Sequence, residues 1–157
     1  MRQKMFSIGD DFNIENEQGE RCLKVDGKSL RIRKTLVFEA PDGRELYKIQ
    51  ERMLRVKDTM AIEDADGNHA ATVKKALITP LRERFVVKIE GGSDLDIKGN
   101  IVDHEYRLER GRDTVATVSK KWFAIRDTYG VEIGPGENHP LILAVAVALD
   151  QIAHPAR

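Results

Sequence analysis

The stretch Leu141–Asp150, LILAVAVALD, contains nine consecutive apolar residues before its first charge. Its alanine content and the spacing between Pro140 and Pro155 favour a helix of about 14 residues. Pro140 suits the first helical turn, and Asn138 or His139 is the expected cap. Such a helix is about 21 Å long, whereas a bilayer core is about 30 Å thick. An isolated membrane span is therefore not expected.

Glycine-paced segments repeat in the first half of the chain. Gly19, Gly43 and Gly67 are spaced 24 residues apart, in similar surroundings. Asp42-Gly43 and Asp66-Gly67 are tight-turn dipeptides, because both residue types tolerate a positive φ. The flanking stretches RELYKIQ and NHAATVKK alternate polar and apolar residues with a period of two. The repeat therefore predicts successive β-hairpins.

The pattern of strands and turns defines the expected fold class. About a dozen short strands, with turns every eight to twelve residues, are typical of a sandwich or barrel. A helix that is apolar on every side must be surrounded by other apolar groups. We therefore predict a mainly β, α+β fold, in which a closed antiparallel barrel of about twelve strands surrounds the central C-terminal helix. The 157 residues contain no recognisable linker, so a single domain over residues 1–157 is expected.

Charge and cysteine content exclude several classes of protein. Lys plus Arg equals Asp plus Glu at 26 each, and this balance argues against bulk binding of nucleic acid. Cys22 is the single cysteine, which excludes an intramolecular disulfide and fits a reducing compartment. The first ten residues have no apolar run of signal-peptide length. We expect a cytoplasmic location, with peripheral contact to a membrane left open.

Catalytic and metal-binding motifs are not recognised in the sequence. There is no G-x-S-x-G elbow or Walker loop. The stretch GPGENHP contains two of the three glycines of the dinucleotide-binding fingerprint, so that motif is incomplete. EDADGN at 63–68 is interpreted as a hairpin turn, since its glycine comes too early for a calcium loop. Cys22 is interpreted as a small packing residue. The sequence therefore leads us to name no catalytic residue, no metal ligand and no cofactor, and a non-enzymatic protein is favoured over an enzyme.

The four histidines are interpreted as solvent or turn residues, because their spacing does not match a metal-ligand motif, and a metal site assembled in space is the alternative. They are His69, His104, His139 and His154. Asp103 and Glu105 flank His104, and the three are interpreted as alternating along one strand. An acid/base pair at this point is left as an alternative to a solvated face.

Basic residues at equivalent places in the repeat form the candidate ligand-binding face. Residues two apart on a strand point the same way, so these side chains are expected to gather on one side of the barrel. That face comprises Arg31, Arg33, Arg55, Lys57, Lys120, Lys121 and Arg126. It would bind an anion or a lipid headgroup. The alternative is an ordinary outward face, neutralised by neighbouring acids.

Trp122 and Phe123 follow Lys121 directly. Their position beside two lysines suggests an interfacial anchor, in which the aromatic rings sit at the headgroup level of a membrane. The alternative is that both rings pack inside the barrel.

The glycine-paced hairpins, TVSKKWFAIRDTYGVEI and the closing LILAVAVALDQ together resemble the LURP-one-related family in its bacterial-type form. That family belongs to the Tubby C-terminal-like superfamily. The resemblance covers roughly residues 2–152 and implies a closed barrel around a central C-terminal helix. Tubby proteins bind phosphoinositides, and phospholipid scramblases are distant relatives. The Tubby lipid-binding residues have no matching motif in this sequence, so none are carried over.

Three functional hypotheses remain open at the level of sequence. The leading one is a non-enzymatic binding or regulatory barrel module that recognises a lipid headgroup, an anion or a protein partner. The second is a scramblase-like, membrane-active protein that uses its C-terminal helix. The third is an enzyme whose site is assembled from distant strands.

Overall fold

The computed structural model describes residues 2–8, 11–16, 18, 20–28, 35–51, 59–79, 82–120 and 128–153. These residues form a mostly β, antiparallel sheet followed by one C-terminal helix. The strands are β1 (Arg2–Ile8), β2 (Asp11–Glu15), β3 (Arg21–Lys28), β4 (Thr35–Glu39), β5 (Glu45–Glu51), β6 (Thr59–Asp64), β7 (His69–Thr79), β8 (Arg82–Ile89), β9 (Leu95–Asn100), β10 (Glu105–Arg110), β11 (Asp113–Ser119) and β12 (Thr128–Ile133), and the helix is α1 (His139–Ala153).

Consecutive strands pair with one another along the whole meander. Each pairing from β1–β2 to β11–β12 is antiparallel. The first strand also pairs with the last one, in a register that runs from Arg2↔Glu132 to Phe6↔Thr128. The antiparallel β organisation predicted from the alternating pattern is therefore confirmed.

The predicted hairpin turns occur where the Asp-Gly dipeptides lie. Gly43 has φ 86° and Gly67 has φ 84°, in the left-handed region that glycine adopts without steric cost. In the second of these turns, the Asp64 carboxylate accepts hydrogen bonds from the backbone N–H groups of Asp66 and Asn68, at 3.0 and 2.9 Å. EDADGN is thus a hairpin turn, as predicted. Gly19 lies outside the described residues.

The C-terminal helix begins close to the predicted position. α1 spans 15 residues, and Pro140 lies in its first turn. The Asn138 side-chain oxygen accepts a hydrogen bond from the Leu141 N–H at 3.2 Å, so Asn138 is the N-cap. Every residue of Ile142–Leu149 is buried. The apolar stretch is therefore a core helix, as its sequence predicts, while Pro155 lies outside the described residues.

The core consists of α1 and the side chains of the strands that face it. On β6, β10 and β12 these include Ile62, Leu108 and Val131, each fully buried. Fully burying each such side chain is worth about 1.5–3 kcal/mol, so the helix and the strands depend on each other for stability. None of the helices among the described residues has both the length and the apolar character that a bilayer span requires.

Because the strands alternate in direction, their connections lie at two opposite ends of the sheet. The helix-entry end comprises the turns at 40–44, 65–68 and 111–112, together with Asn138, where α1 begins. The helix-exit end comprises the turn at 101–104 and Asp150, in the last part of α1.

Candidate functional site

A polar cluster ties the end of α1 to the sheet at the helix-exit end. The His104 Nε2 and an Asp150 carboxylate oxygen are 2.6 Å apart, and their side chains are 21% and 13% exposed. The His104 ring stacks on the Tyr129 ring, with centroids 4.2 Å apart and planes at 15°. Three elements therefore converge on one half-buried imidazole: the β9–β10 turn, β12 and the helix.

The backbone conformation of the β9–β10 turn places the His104 side chain next to the helix. Its Ile101 carbonyl accepts a hydrogen bond from the His104 N–H at 3.1 Å. His104 has φ 55°, a value that is uncommon for residues other than glycine. Beside the turn, a Cβ on Gly99 would lie 2.5 Å from the Glu105 carbonyl oxygen, so a residue without a side chain is needed for this close approach. The local backbone thus fixes where the imidazole lies.

Two buried phenols lie next to Asp150. Burial raises the pKa of both Tyr106 and Tyr129 above the ordinary phenol value, and the negative charge of Asp150 raises it further. Both hydroxyls are therefore neutral at physiological pH. The Tyr129 hydroxyl, the Thr59 hydroxyl and the Gln151 side-chain oxygen are buried and have no hydrogen-bond partner among the described residues. Thr59 begins β6, Tyr129 is the second residue of β12 and Gln151 follows Asp150, so all three lie towards the helix-exit end.

A second set of polar contacts lies at the same end, between β10 and β11. The Glu105 carboxylate accepts hydrogen bonds from the Ser119 hydroxyl at 3.0 and 2.8 Å. It also accepts one from the Lys120 backbone N–H at 3.2 Å. The Lys120 side chain is exposed. Lys120 is thus the member of the predicted basic face that the described part of the chain contains, and it lies on the surface of the helix-exit end.

The other predicted site residues lie outside the described residues. These are Arg31, Arg33, Arg55, Lys57, Lys121 and Arg126. The sequence places them within the connections 29–34, 52–58 and 121–127. The strand ends that flank those connections are described, and all of them lie at the helix-exit end, with pairs such as Lys28↔Thr35 and Glu51↔Met60 in register. Trp122, Phe123 and the side chain of Cys22 also lie outside the described residues.

The helix-entry end contains an ion pair and a shallow cavity. Arg110 donates two hydrogen bonds to the Glu137 carboxylate, at 2.8 and 3.0 Å, which joins the end of β10 to the segment leading into α1. The hydrogen bond lowers the pKa of Glu137 and raises that of Arg110 from their ordinary values. A shallow cavity of about 310 Å³ lies nearby, lined by Arg44, Glu45, Leu46, Tyr47, Asp64, Ala65, Asp66 and Pro140.

The His104–Asp150 pair is the main feature that the sequence did not predict. The two residues are 46 positions apart, and no local pattern connects them. The interpretation of Asp103, His104 and Glu105 as alternating along one strand is wrong, because β9 ends at Asn100 and β10 begins at Glu105. An acid near a helix C-terminus is electrostatically unfavourable, but this local signal does not identify His104 as the partner.

The described residues contain no group of three or more histidine, cysteine or acidic side chains placed to hold a metal ion. The polar cluster buries two phenols, and it pairs His104 with Asp150 and Glu105 with Ser119. These groups connect α1, β10, β11 and β12 at the helix-exit end. Their arrangement fixes the segment that precedes the exposed Lys120.

Comparison with known proteins places this fold in a family. A family model described as LURP-one-related matches residues 1–150. The uncharacterized protein YxjI of Bacillus subtilis (strain 168) is 27% identical over 154 residues, which cover 98% of this chain and 92% of that protein. The X-ray structure of a protein from Arabidopsis thaliana has a TM-score of 0.73 at 16% identity, covering 96% of this chain and 90% of that one. The chain belongs to the LURP-one-related family.

Proposed function

We propose that the protein is a non-enzymatic binding module that recognises a phosphate-bearing anion at its helix-exit end. The ligand chemistry is that of a lipid headgroup or a free phosphate ester. The residues proposed to bind it are Arg31, Arg33, Arg55, Lys57, Lys120, Lys121 and Arg126. A peripheral, cytoplasmic location at a membrane would follow from the lipid form of this proposal.

The observation that carries the proposal is the shared position of three strand-pair ends. β3 and β4, β5 and β6, and β11 and β12 are each joined by a connection that contains two or more basic residues. Their flanking ends lie at one end of the sheet, where the Lys120 side chain is exposed. Neutral overall charge does not weaken this proposal, because a local concentration of cations is what binds a phosphate.

The chemistry of these side chains supports an anionic ligand over a cationic one. Arginine presents a planar fork of donors that matches phosphate oxygens, and lysine adds a compact positive charge. The C-terminal end of a helix carries partial negative charge and disfavours anions. We therefore expect the phosphate to contact the connections around α1, rather than the helix end itself.

We also propose that residues 1–157 form one domain in which the sheet closes into a barrel around α1. Support comes from the pairing of β1 with both β2 and β12, and from the complete burial of Ile142–Leu149. In a closed sheet, the amides of β1 and β12 should resist hydrogen exchange as well as those of β5, since none of the strands has an open edge. Rapid exchange confined to β1 and β12 would contradict closure.

The test of the binding proposal compares two triple variants with equal changes in charge. Arg33→Gln/Arg55→Gln/Arg126→Gln removes one arginine from each basic connection at the helix-exit end. Arg21→Gln/Arg44→Gln/Arg112→Gln removes three exposed arginines from the helix-entry end. Binding is measured by co-sedimentation with phosphatidylcholine vesicles that contain phosphatidylserine or a phosphoinositide.

We expect the first variant to lose at least about tenfold in binding and the second to change little, because juxtamembrane basic residues contribute about 1 kcal/mol each. Titration with a soluble inositol phosphate distinguishes a lipid headgroup from a free phosphate ester as the ligand. Equal binding by both variants and the wild type would overturn the proposal. So would failure of the wild type to bind either form of phosphate.

A further inference from the structure

We propose that the β9–β10 turn is a preformed membrane-docking element, whose apolar tip, Val102, enters the interfacial layer of an anionic membrane. This inference rests on the proposed function and takes the phosphate-bearing ligand to be the headgroup of a lipid in a bilayer. Val102 lies outside the basic face, and in this proposal the β9–β10 turn is the part of the helix-exit end that enters the lipid.

The exposure of Val102 is the first observation. Its side chain is 57% exposed, and it is the large hydrophobic residue that the described part of the chain leaves open to solvent. Val102 is the second residue of the β-turn that the His104 N–H closes onto the Ile101 carbonyl. Glycine, proline, asparagine, aspartate and serine are the residues that turn centres favour. Neither backbone preference nor core packing therefore accounts for a valine at this position.

The rigidity of the turn is the second observation. The Asn100 side chain accepts a hydrogen bond from the Asp103 N–H at 3.0 Å and donates one to the Asp103 carboxylate at 2.8 Å. His104 is held by Asp150 and stacks on Tyr129. Each contact fixes the tip relative to the sheet and the helix. A tip that is already ordered loses little conformational entropy when it binds, which favours insertion.

The charges around the turn are the third observation. The nearest carboxylates keep their negative charge but are held in local hydrogen bonds, Asp103 with the Asn100 amide and Glu105 with Ser119 and the Lys120 N–H. The Lys120 side chain is exposed at the end of the strand that pairs with β10. Each basic residue close to an anionic leaflet strengthens binding by about fivefold. An apolar tip that shares its end of the sheet with an exposed lysine is complementary to an anionic membrane, whose headgroups cover an apolar interior.

The experiment uses substitutions at an exposed position, so the fold is expected to survive them. Val102→Ser, Val102→Trp and the control Ala65→Ser are compared with the wild type for binding to phosphatidylcholine vesicles containing phosphatidylserine. Ala65 is exposed in a turn at the helix-entry end. Val102→Ser should bind about three- to tenfold more weakly, because it replaces an apolar contact. Val102→Trp should bind more tightly, because tryptophan favours the membrane interface, and Ala65→Ser should match the wild type.

A second arm measures binding of a soluble inositol phosphate by the same proteins. Because Val102 contacts lipid rather than phosphate, Val102→Ser should bind the soluble ligand as the wild type does. Equal vesicle binding by Val102→Ser and the wild type would overturn this inference and leave the proposed function standing. Equal weakening of vesicle and soluble binding would also overturn it. If the wild type binds neither ligand, the proposed function and this inference fail together.

Discussion

At the scale of single residues, the Tyr129 hydroxyl has an unusual position. It is buried and has no hydrogen-bond partner in the part of the chain that the structure describes, while the ring stacks on His104. We expect Tyr129→Phe to leave the free energy of unfolding unchanged or to raise it by up to about 1 kcal/mol, because a buried, unpaired hydroxyl is costly. Urea denaturation monitored by circular dichroism measures this difference. A loss of more than about 1 kcal/mol would show that the hydroxyl has a partner.

The His104–Asp150 pair provides the second prediction at this scale. We expect His104→Ala and Asp150→Asn each to destabilise the protein, with a coupling energy of about 1–2 kcal/mol in a double-mutant cycle. The physical reason is the 2.6 Å contact between half-buried groups. The control cycle pairs His104→Ala with Glu90→Gln, an exposed position in the β8–β9 turn. Additive effects of His104→Ala and Asp150→Asn would contradict the assigned pairing.

The third residue-scale prediction concerns pH. Arg110 lowers the pKa of Glu137, so the native state favours the ionised carboxylate. The resulting stabilisation is complete above the unfolded pKa of about 4.3, and it is lost as the pH falls through the lower native pKa. Glu137→Gln should therefore cost about 0.5 kcal/mol at pH 7, since the pair is partly exposed.

The destabilisation by Glu137→Gln should disappear in acid, because the Glu137 carboxylate of the native wild type is then protonated and uncharged. Thermal unfolding of both proteins across the pH range measures it, with Glu90→Gln as the control. A difference in stability that stays constant below pH 4 would contradict an electrostatic origin.

At the scale of elements, α1 is the helix around which the core is built. Ala146 is completely buried in the middle of it. We expect Ala146→Asp to destabilise the protein by several kcal/mol, because the variant buries an unpaired charge. Solubility and thermal unfolding provide the measurement, and Ala65→Asp, at an exposed turn, should have little effect. A folded and soluble Ala146→Asp protein that has lost only membrane contact would show that the helix is not part of the core.

The elements also show how far the sequence predicts this structure. Local signals were sufficient for the start of α1, where Asn138 caps the helix and Pro140 occupies its first turn. They were also sufficient for the turns at Gly43 and Gly67, which need a positive φ. The His104–Asp150 contact was not predictable, because it depends on where β9, β10 and α1 meet in space. The basic face stays a prediction from sequence spacing, because Lys120 is the one of its members that lies within the described residues.

At the scale of the whole molecule, we propose that the chain consists of a core and a binding end. α1 and the facing sides of the strands supply the burial that stabilises the fold. The helix-exit end combines the His104–Asp150 cluster, the exposed Lys120 and Val102, and the strand ends that flank the three basic connections. A scramblase-like use of α1 would require Ile142–Leu149 to leave the core, which would expose the apolar surface of both the helix and the strands.

Hydrogen–deuterium exchange with and without anionic vesicles tests this division most directly. We predict that the amides of Ile142–Leu149 stay protected in both conditions, because they open only when the whole domain unfolds. We predict that vesicles slow exchange within residues 29–34, 52–58, 101–104 and 120–127, and leave the turns at 40–44 and 65–68 unchanged. Loss of protection in α1 on adding vesicles, or protection confined to the helix-entry turns, would contradict the account.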